Sequence, residues 1–274
     1  MRRGFTSMNS KSLYRWGWQL ILVFLMSCSS NVNAQETHLS HVIKKATKYI
    51  VSHGIEDDWT MIALSRAGKG RSISHTYLDS KIDELTRAGG EFRSITDYER
   101  SVLGIVAAGE NPYQIAGYDL IFKILNSERL TAQGLNGIVF ALIAIDSGDY
   151  PVPKGSLWNR GELIRELLSM QNSDGGWPLD QGGKSNIDIT AMTLTALAPY
   201  KEKQNVKKQS HKAISWLSHS QLKTGGFKSW GSEASESVSQ VILALCSWNI
   251  NPTSGLFSKE NGDTLTNLLS FQKK

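Results

Sequence analysis

The sequence predicts an all-α protein in which helical hairpins curl into a two-layer α/α toroid, with about five complete pairs and an unpaired last outer helix. Two observations lead there. A Gly-rich segment recurs at the spacing of a helical repeat, and helices with one apolar stripe alternate with helices apolar almost all round. A one-striped helix rests on a surface, whereas one apolar on every side must be surrounded by protein. Joined as antiparallel hairpins, the two kinds close only if the second is wrapped inside the first. A straight α-solenoid also stacks helical pairs, but it does not need inner helices this uniformly apolar.

The recurring segment is Gln171-Asn172-Ser173-Asp174-Gly175-Gly176-Trp177, which returns about fifty residues later as Gln221-Leu222-Lys223-Thr224-Gly225-Gly226-Phe227. Phe271-Gln272 stands where a third copy would begin, and Arg87-Ala88-Gly89-Gly90-Glu91-Phe92 is a weaker echo. One-striped helices are expected around Val42, Ile43, Ala46, Tyr49 and Ile50, around Leu120, Ile121, Ile124 and Leu125, around Leu163, Ile164, Leu167 and Leu168, and around Ile214 and Leu217. The all-round apolar segments are Ile138 to Ile145, Ala191 to Ala198 and Val238 to Cys246. Small residues at Ala63, Gly104, Ala141, Ala196 and Ala244 would let these helices approach closely. Helix starts are marked by Asp58, Asn186, Ser235 and the capping-box pattern Thr96-Asp97-Tyr98-Glu99. The last outer helix, with Leu265, Leu268 and Leu269, has no inner partner after it. Apolar faces are therefore expected at both ends, and with them either a marginal monomer that forms a homodimer or a shortened form of a longer ancestor.

Residues 1–34 read as a leader and tether, and residues 35–274 as the repeat domain. Arg2, Arg3, Lys11 and Arg15 precede the short apolar stretch Leu20 to Met26, the layout of an export signal and too short to span a bilayer. Leu25-Met26-Ser27-Cys28 predicts lipidation of Cys28 and membrane anchoring, with Ser29-Ser30-Asn31 as polar tether; Val32-Asn33-Ala34 offers an ordinary cleavage site instead. Without the leader's four basic residues the formal net charge falls from +5 to about +1, which gives no support to a nucleic-acid partner. Cys246 is then the only remaining thiol, so no internal disulfide is expected.

Gln171 to Trp177 resembles the QW motif of squalene and hopene cyclases, in which Gln caps an outer helix and the aromatic ring stacks in the following turn. The repeats also resemble those of protein prenyltransferase β subunits and of the helical domain of cobalamin carriers, all α/α toroids. The resemblance spans roughly residues 40–274. Asp57 to Leu64 and Ile189 to Met192 are similar to segments of exported Gram-positive proteins with prenyltransferase-type repeats.

The chemistry of these relatives carries over poorly. Cyclases protonate an alkene with the middle acid of DxDD; the matching stretch here is Asn186-Ile187-Asp188-Ile189-Thr190-Ala191, where Asp188 survives and its carboxylate neighbours do not. A carboxylate in the first turn of a helix also has an ordinary role in favouring the macrodipole. Prenyltransferase zinc needs an Asp two residues before Cys, where Ala244 precedes Cys246, and the six His are scattered, so neither metal nor cofactor is expected. The Gly-rich turns lack the residues of a P-loop, and no Ser, His and Asp set is placed for nucleophilic attack.

What remains is a polar rim where the inner helices begin: Asp58, Glu99, Arg100, Asn136, Asp188, Thr190, Glu236 and Gln240, with Trp59, Trp177 and Trp230 nearby. An apolar bore with a few polar groups at its mouth is the usual form of a ligand site. The expected function is non-catalytic binding of an apolar or isoprenoid-like ligand, a cobalamin-like one, or a protein partner. A degenerate terpene cyclase using Asp188 and a structural role at the cell surface are the alternatives.

Overall fold

The structure, a computed structural model, describes residues 32–54, 57–229 and 231–272. It is all-α, with eleven α-helices among the described residues: α1 Val32–Ser52, α2 Asp58–Arg66, α3 Ser74–Arg87, α4 Ile95–Ala108, α5 Leu120–Leu125, α6 Leu135–Asp146, α7 Arg160–Ser169, α8 Ile187–Leu197, α9 Gln204–Ser220, α10 Ser235–Ser247 and α11 Thr264–Ser270. Two antiparallel ladders of two-residue strands, Lys228–Ser229 with Ser232–Glu233 and Ser258–Lys259 with Gly262–Asp263, shape the loops before α10 and α11.

Alternate helices form two rows. Helices α2, α4, α6, α8 and α10 each pack on the next, while α3, α5, α7, α9 and α11 lie against them from one side. The core fills the space between the rows: Val102, Ile105, Ile138, Leu142, Leu194, Val241 and Leu245 from the inner helices meet Leu163, Leu167, Ala213 and Leu217 from the outer ones, all buried. Ala141, Ala196 and Ala244 are buried where neighbours approach, but Ala63 is exposed and takes no part in a close crossing. Gly104 shows the closest approach. A Cβ there would lie 2.1 Å from the Tyr77 hydroxyl.

The repeated turn explains its own sequence. Gln171 Nε2 donates to the Gly175 carbonyl in its own turn (2.8 Å) and to the Gln209 carbonyl in α9 (2.9 Å). Gln221 does the same with Gly225 (2.9 Å) and with Phe257, ahead of α11 (3.0 Å). Trp177 and Phe227 are fully buried, and the Trp177 indole N–H donates to the Leu167 carbonyl at 2.6 Å. The two glycines do different work. Gly175 and Gly225 hold φ of 97° and 86°, where a side chain would be strained, whereas Gly176 and Gly226 leave room for Ser185 and Asn267.

Several helix starts differ from the sequence reading. Asn186 caps α8 as expected, but α2 is capped by Asp57, whose carboxylate accepts the Thr60 N–H at 2.7 Å, and Asp58 is the first helical residue. The capping box of α4 is Ser94 with Asp97, not Thr96 with Glu99, and the helix starts two residues earlier, at the buried Ile95. Ser235 opens α10 without a side-chain cap.

The largest difference is α1, expected as a half-buried outer helix. Val42 and Ile50 are half-buried, but no side chain from His38 onward is fully buried, Ala46 is exposed, and Ile43 and Tyr49 are 45% and 58% exposed. The helix begins at Val32, across the expected boundary between tether and domain. The stretch Leu20 to Met26 and Cys28 lie outside the described residues, among which no helix is long and apolar enough to cross a membrane.

Because each glutamine ties its turn to the next outer segment, Gln171→Ala and Gln221→Ala should each lower stability by roughly 1–3 kcal/mol, two hydrogen bonds at about 0.5–1.5 kcal/mol apiece. Chemical denaturation of the two variants checks this. A loss confined to one of them would show that the repeats are not equivalent.

Candidate functional site

Each inner helix buries most of its surface against its inner neighbours, two for α4, α6 and α8 and one for α2 and α10, and against outer helices, and one stripe is left less covered. It runs through Trp59, Ala63 and Arg66 on α2, Thr96, Arg100, Leu103 and Ala107 on α4, Asn136, Phe140 and Ile143 on α6, Asp188, Met192 and Thr195 on α8, and Glu236, Gln240 and Leu243 on α10. The steps of four and three residues keep each stripe on one face. Trp59 on α2 meets Phe140 on α6 edge to face, 5.9 Å between ring centroids, although α4 stands between those helices in the row. Over α2, α4 and α6 the row is thus bent toward the stripes. Along this face the first helical turns are polar, at Arg100, Asn136, Asp188, Glu236 and Gln240, and the following turns apolar, at Leu103, Phe140, Ile143, Met192 and Leu243.

At one end of the rim lies a charged cluster. Asp58 is 3% exposed and accepts from the Tyr77 hydroxyl (2.6 Å), Lys81 (2.9 Å) and Arg100 Nε (2.8 Å). Lys81, itself nearly buried, also reaches Glu84 (2.7 Å) and Ser101 (3.3 Å), and Arg100 reaches Asp97 (3.0 Å). Burial alone would raise the Asp58 pKa, but Lys81, Tyr77 and Arg100 together hold it below the usual carboxylate value. The Tyr77 hydroxyl is pushed far up by burial and by Asp58. A pocket of about 300 Å³ opens here between Asp57, Trp59, Ser80, Glu84 and Arg100. Its charges already satisfy one another, so the cluster serves first to lock α2, α3 and α4 together.

The remaining rim residues divide. Thr190 is fully buried, and its hydroxyl accepts the Trp177 N–H at 2.8 Å, which places it in the repeat turn and off this face. Glu99 is also fully buried, off the stripe, with no hydrogen-bond partner for either oxygen; desolvation raises its pKa well above 4.5 and favours the neutral acid. Asp188 lies in the first turn of α8, where Oδ2 accepts from Ser229 at 2.8 Å and no ion pair forms among the described residues. Glu236 is exposed at the outer lip, bonded to Ser235. Trp177 packs inside the turn, and Trp230 lies outside the described residues. Cys246 is a half-buried free thiol whose pKa is raised by burial. Among the described residues, no three His, Cys, Asp or Glu side chains are grouped to hold a metal.

Comparison of the chain with protein families, with curated proteins and with solved structures finds no match. The site therefore has to be read from its own residues. Sequence reasoning did not single out Phe140, Ile143, Met192 or Leu243, although each follows a polar first-turn residue by four or seven positions. Lys81 and Tyr77 were missed because they sit on α3, an outer helix.

Two pH-dependent outcomes follow. Asp58, with its folded pKa depressed, contributes stability above the ordinary value of 3.8 that is lost as pH falls through the folded pKa. Asp58→Asn should therefore cost roughly 3–5 kcal/mol at neutral pH, mainly by leaving Lys81 its half-exposed partner Glu84 alone in place of the buried carboxylate, and the gap should close only in strong acid. Glu99 has the opposite sign: its raised folded pKa makes the parent chain lose stability as pH rises from 4.5 toward that pKa. Denaturation of Glu99→Gln across pH 4 to 8 should show the variant gaining on the parent chain as pH rises. A constant difference would mean that Glu99 stays ionised.

Proposed function

We infer that the inner helices line the bore of an α/α toroid and that the chain is an exported, membrane-tethered binding domain for an apolar, isoprenoid-like molecule, acting without catalysis. The observation that carries this reading is the less covered stripe, where four inner helices contribute Leu103, Phe140, Ile143, Met192 and Leu243 behind a polar first turn. An apolar basin with polar groups at one lip suits an elongated apolar molecule that ends in a polar group. Trp59 is 49% exposed beside Phe140, which offers a flat aromatic wall.

The surroundings of Asp188 favour binding over cyclisation. Protonating an alkene requires a carboxyl kept neutral and made strongly acidic by its neighbours. Asp188 instead accepts from the Ser229 hydroxyl, and Asn186 next to it is occupied in capping α8. A carboxylate at that position is accounted for by the helix N-terminus.

Incubation with squalene or geranylgeranyl diphosphate, followed by extraction, separates the outcomes. Retention of unchanged ligand is expected, weakened on the order of tenfold by Trp59→Ala or Phe140→Ala, since each removes part of an apolar wall. Asp188→Asn should leave binding almost unchanged, since the amide keeps a polar group at the lip, and cost about 0.3–1 kcal/mol of stability. Cyclic product from the parent chain that disappears in Asp188→Asn would establish the cyclase instead. No retention of any apolar probe would leave a cobalamin-like ligand, a protein partner or a structural role.

A further inference from the structure

Helix α1, Val32–Ser52, differs from the other ten described α-helices in having no buried side chain in its described part. At 100° per residue, Leu39, Val42, Ile43, Ala46, Tyr49 and Ile50 fall within an arc of about 120°. Lys44 and Lys48 lie on the opposite side and Lys45 on the flank, with no acidic residue from 37 to 54. We propose that α1 is an interfacial helix that lies on an anionic lipid surface, its apolar stripe in the acyl boundary and its lysines toward the headgroups. The proposal goes beyond the ligand basin and stands or falls apart from it.

Three observations select this occupant. Part of the stripe faces water, with Ile43 45% and Tyr49 58% exposed and Leu39, Val42 and Ile50 only half-buried, so covering it removes apolar surface that is left open. After Glu36 in its second turn the helix carries only positive charge, at Lys44, Lys45 and Lys48, which suits anionic headgroups, and lysine stems can bend so that the apolar face sinks while the ammonium stays wet. Tyr49 sits at the edge of the stripe, where an aromatic ring with a polar tip settles at the level of the headgroups. The helix also follows directly on the segment read from the sequence as a tether. A single acyl chain holds a protein only marginally, and stable attachment takes a second signal, which α1 would supply.

The experiment is sedimentation of the full chain with phosphatidylcholine vesicles, with and without phosphatidylglycerol. All chains carry Cys28→Ala, so that no acyl chain contributes. Binding is expected to require phosphatidylglycerol and to weaken in high salt. Joint Lys44→Gln, Lys45→Gln and Lys48→Gln substitution should reduce it on the order of a hundredfold, about fivefold per lysine. Ile43→Gln with Ile50→Gln should also release the chain while leaving the thermal midpoint unchanged. Equal binding by the lysine variant, or equal binding without phosphatidylglycerol, would overturn the proposal. So would a lower thermal midpoint in the Ile43 and Ile50 variant, which would place α1 on the protein core. A dimer of the parent chain that this variant dissociates would overturn it too, by assigning the stripe to a second copy.

Discussion

The fold depends on one constraint: helices as apolar as α6, α8 and α10 cannot face water on more than a narrow stripe. Each is flanked by its own kind, on two sides for α6 and α8 and on one for α10, and backed by a more polar helix. Once five such helices are placed in sequence with return helices between them, a two-row array follows with little freedom left. Bending it toward the stripes reduces their exposure further, and this brings Trp59 to Phe140.

The polar interactions then sit where the array would otherwise be weakest. Asp58, Tyr77, Lys81 and Arg100 join α2, α3 and α4 through one buried carboxylate at the N-terminal end of the row. A similar device recurs lower down, where Arg160 Nε donates to Asp146 at 2.7 Å and the Tyr200 hydroxyl to the same carboxylate at 2.8 Å, tying α6, α7 and the end of α8. Charged pairs of this kind contribute less net stability than the apolar packing around them, but breaking one partner leaves an uncompensated charge inside.

Much of the all-α architecture was legible because it is carried by periodicity. The spacing of Leu163, Ile164 and Leu167 and the two Gln-to-aromatic turns mark outer helices without reference to any neighbour. The site was legible only in part. First-turn residues such as Asn136 and Asp188 can be placed at helix starts from caps and patterns, but a helix apolar on all sides does not announce which side meets the basin. Phe140 and Met192 look the same in sequence as Leu142 and Leu194, and only the packing of the row separates them. Thr190 and Glu99 illustrate the converse: both are polar and near helix starts, yet one holds the Trp177 turn and the other is sealed between helices. Lys81 was hidden for another reason, because a lysine on an outer helix reads as solvated until its partner, 23 positions earlier, is seen to be buried.

The forward reach of Gln171 and Gln221 gives the array a direction. Each side chain closes its own turn with one amide hydrogen and holds the following outer segment with the other. Order in one hairpin is in this way passed to the next, as in a chain of nearest-neighbour couplings. Motion should consequently be graded along the molecule, with the middle hairpins the last to open and the two ends exchanging their amide hydrogens first. A ligand spanning the basin would reach across several couplings at once, and its arrival would be felt as a slowing of exchange at ends it never touches.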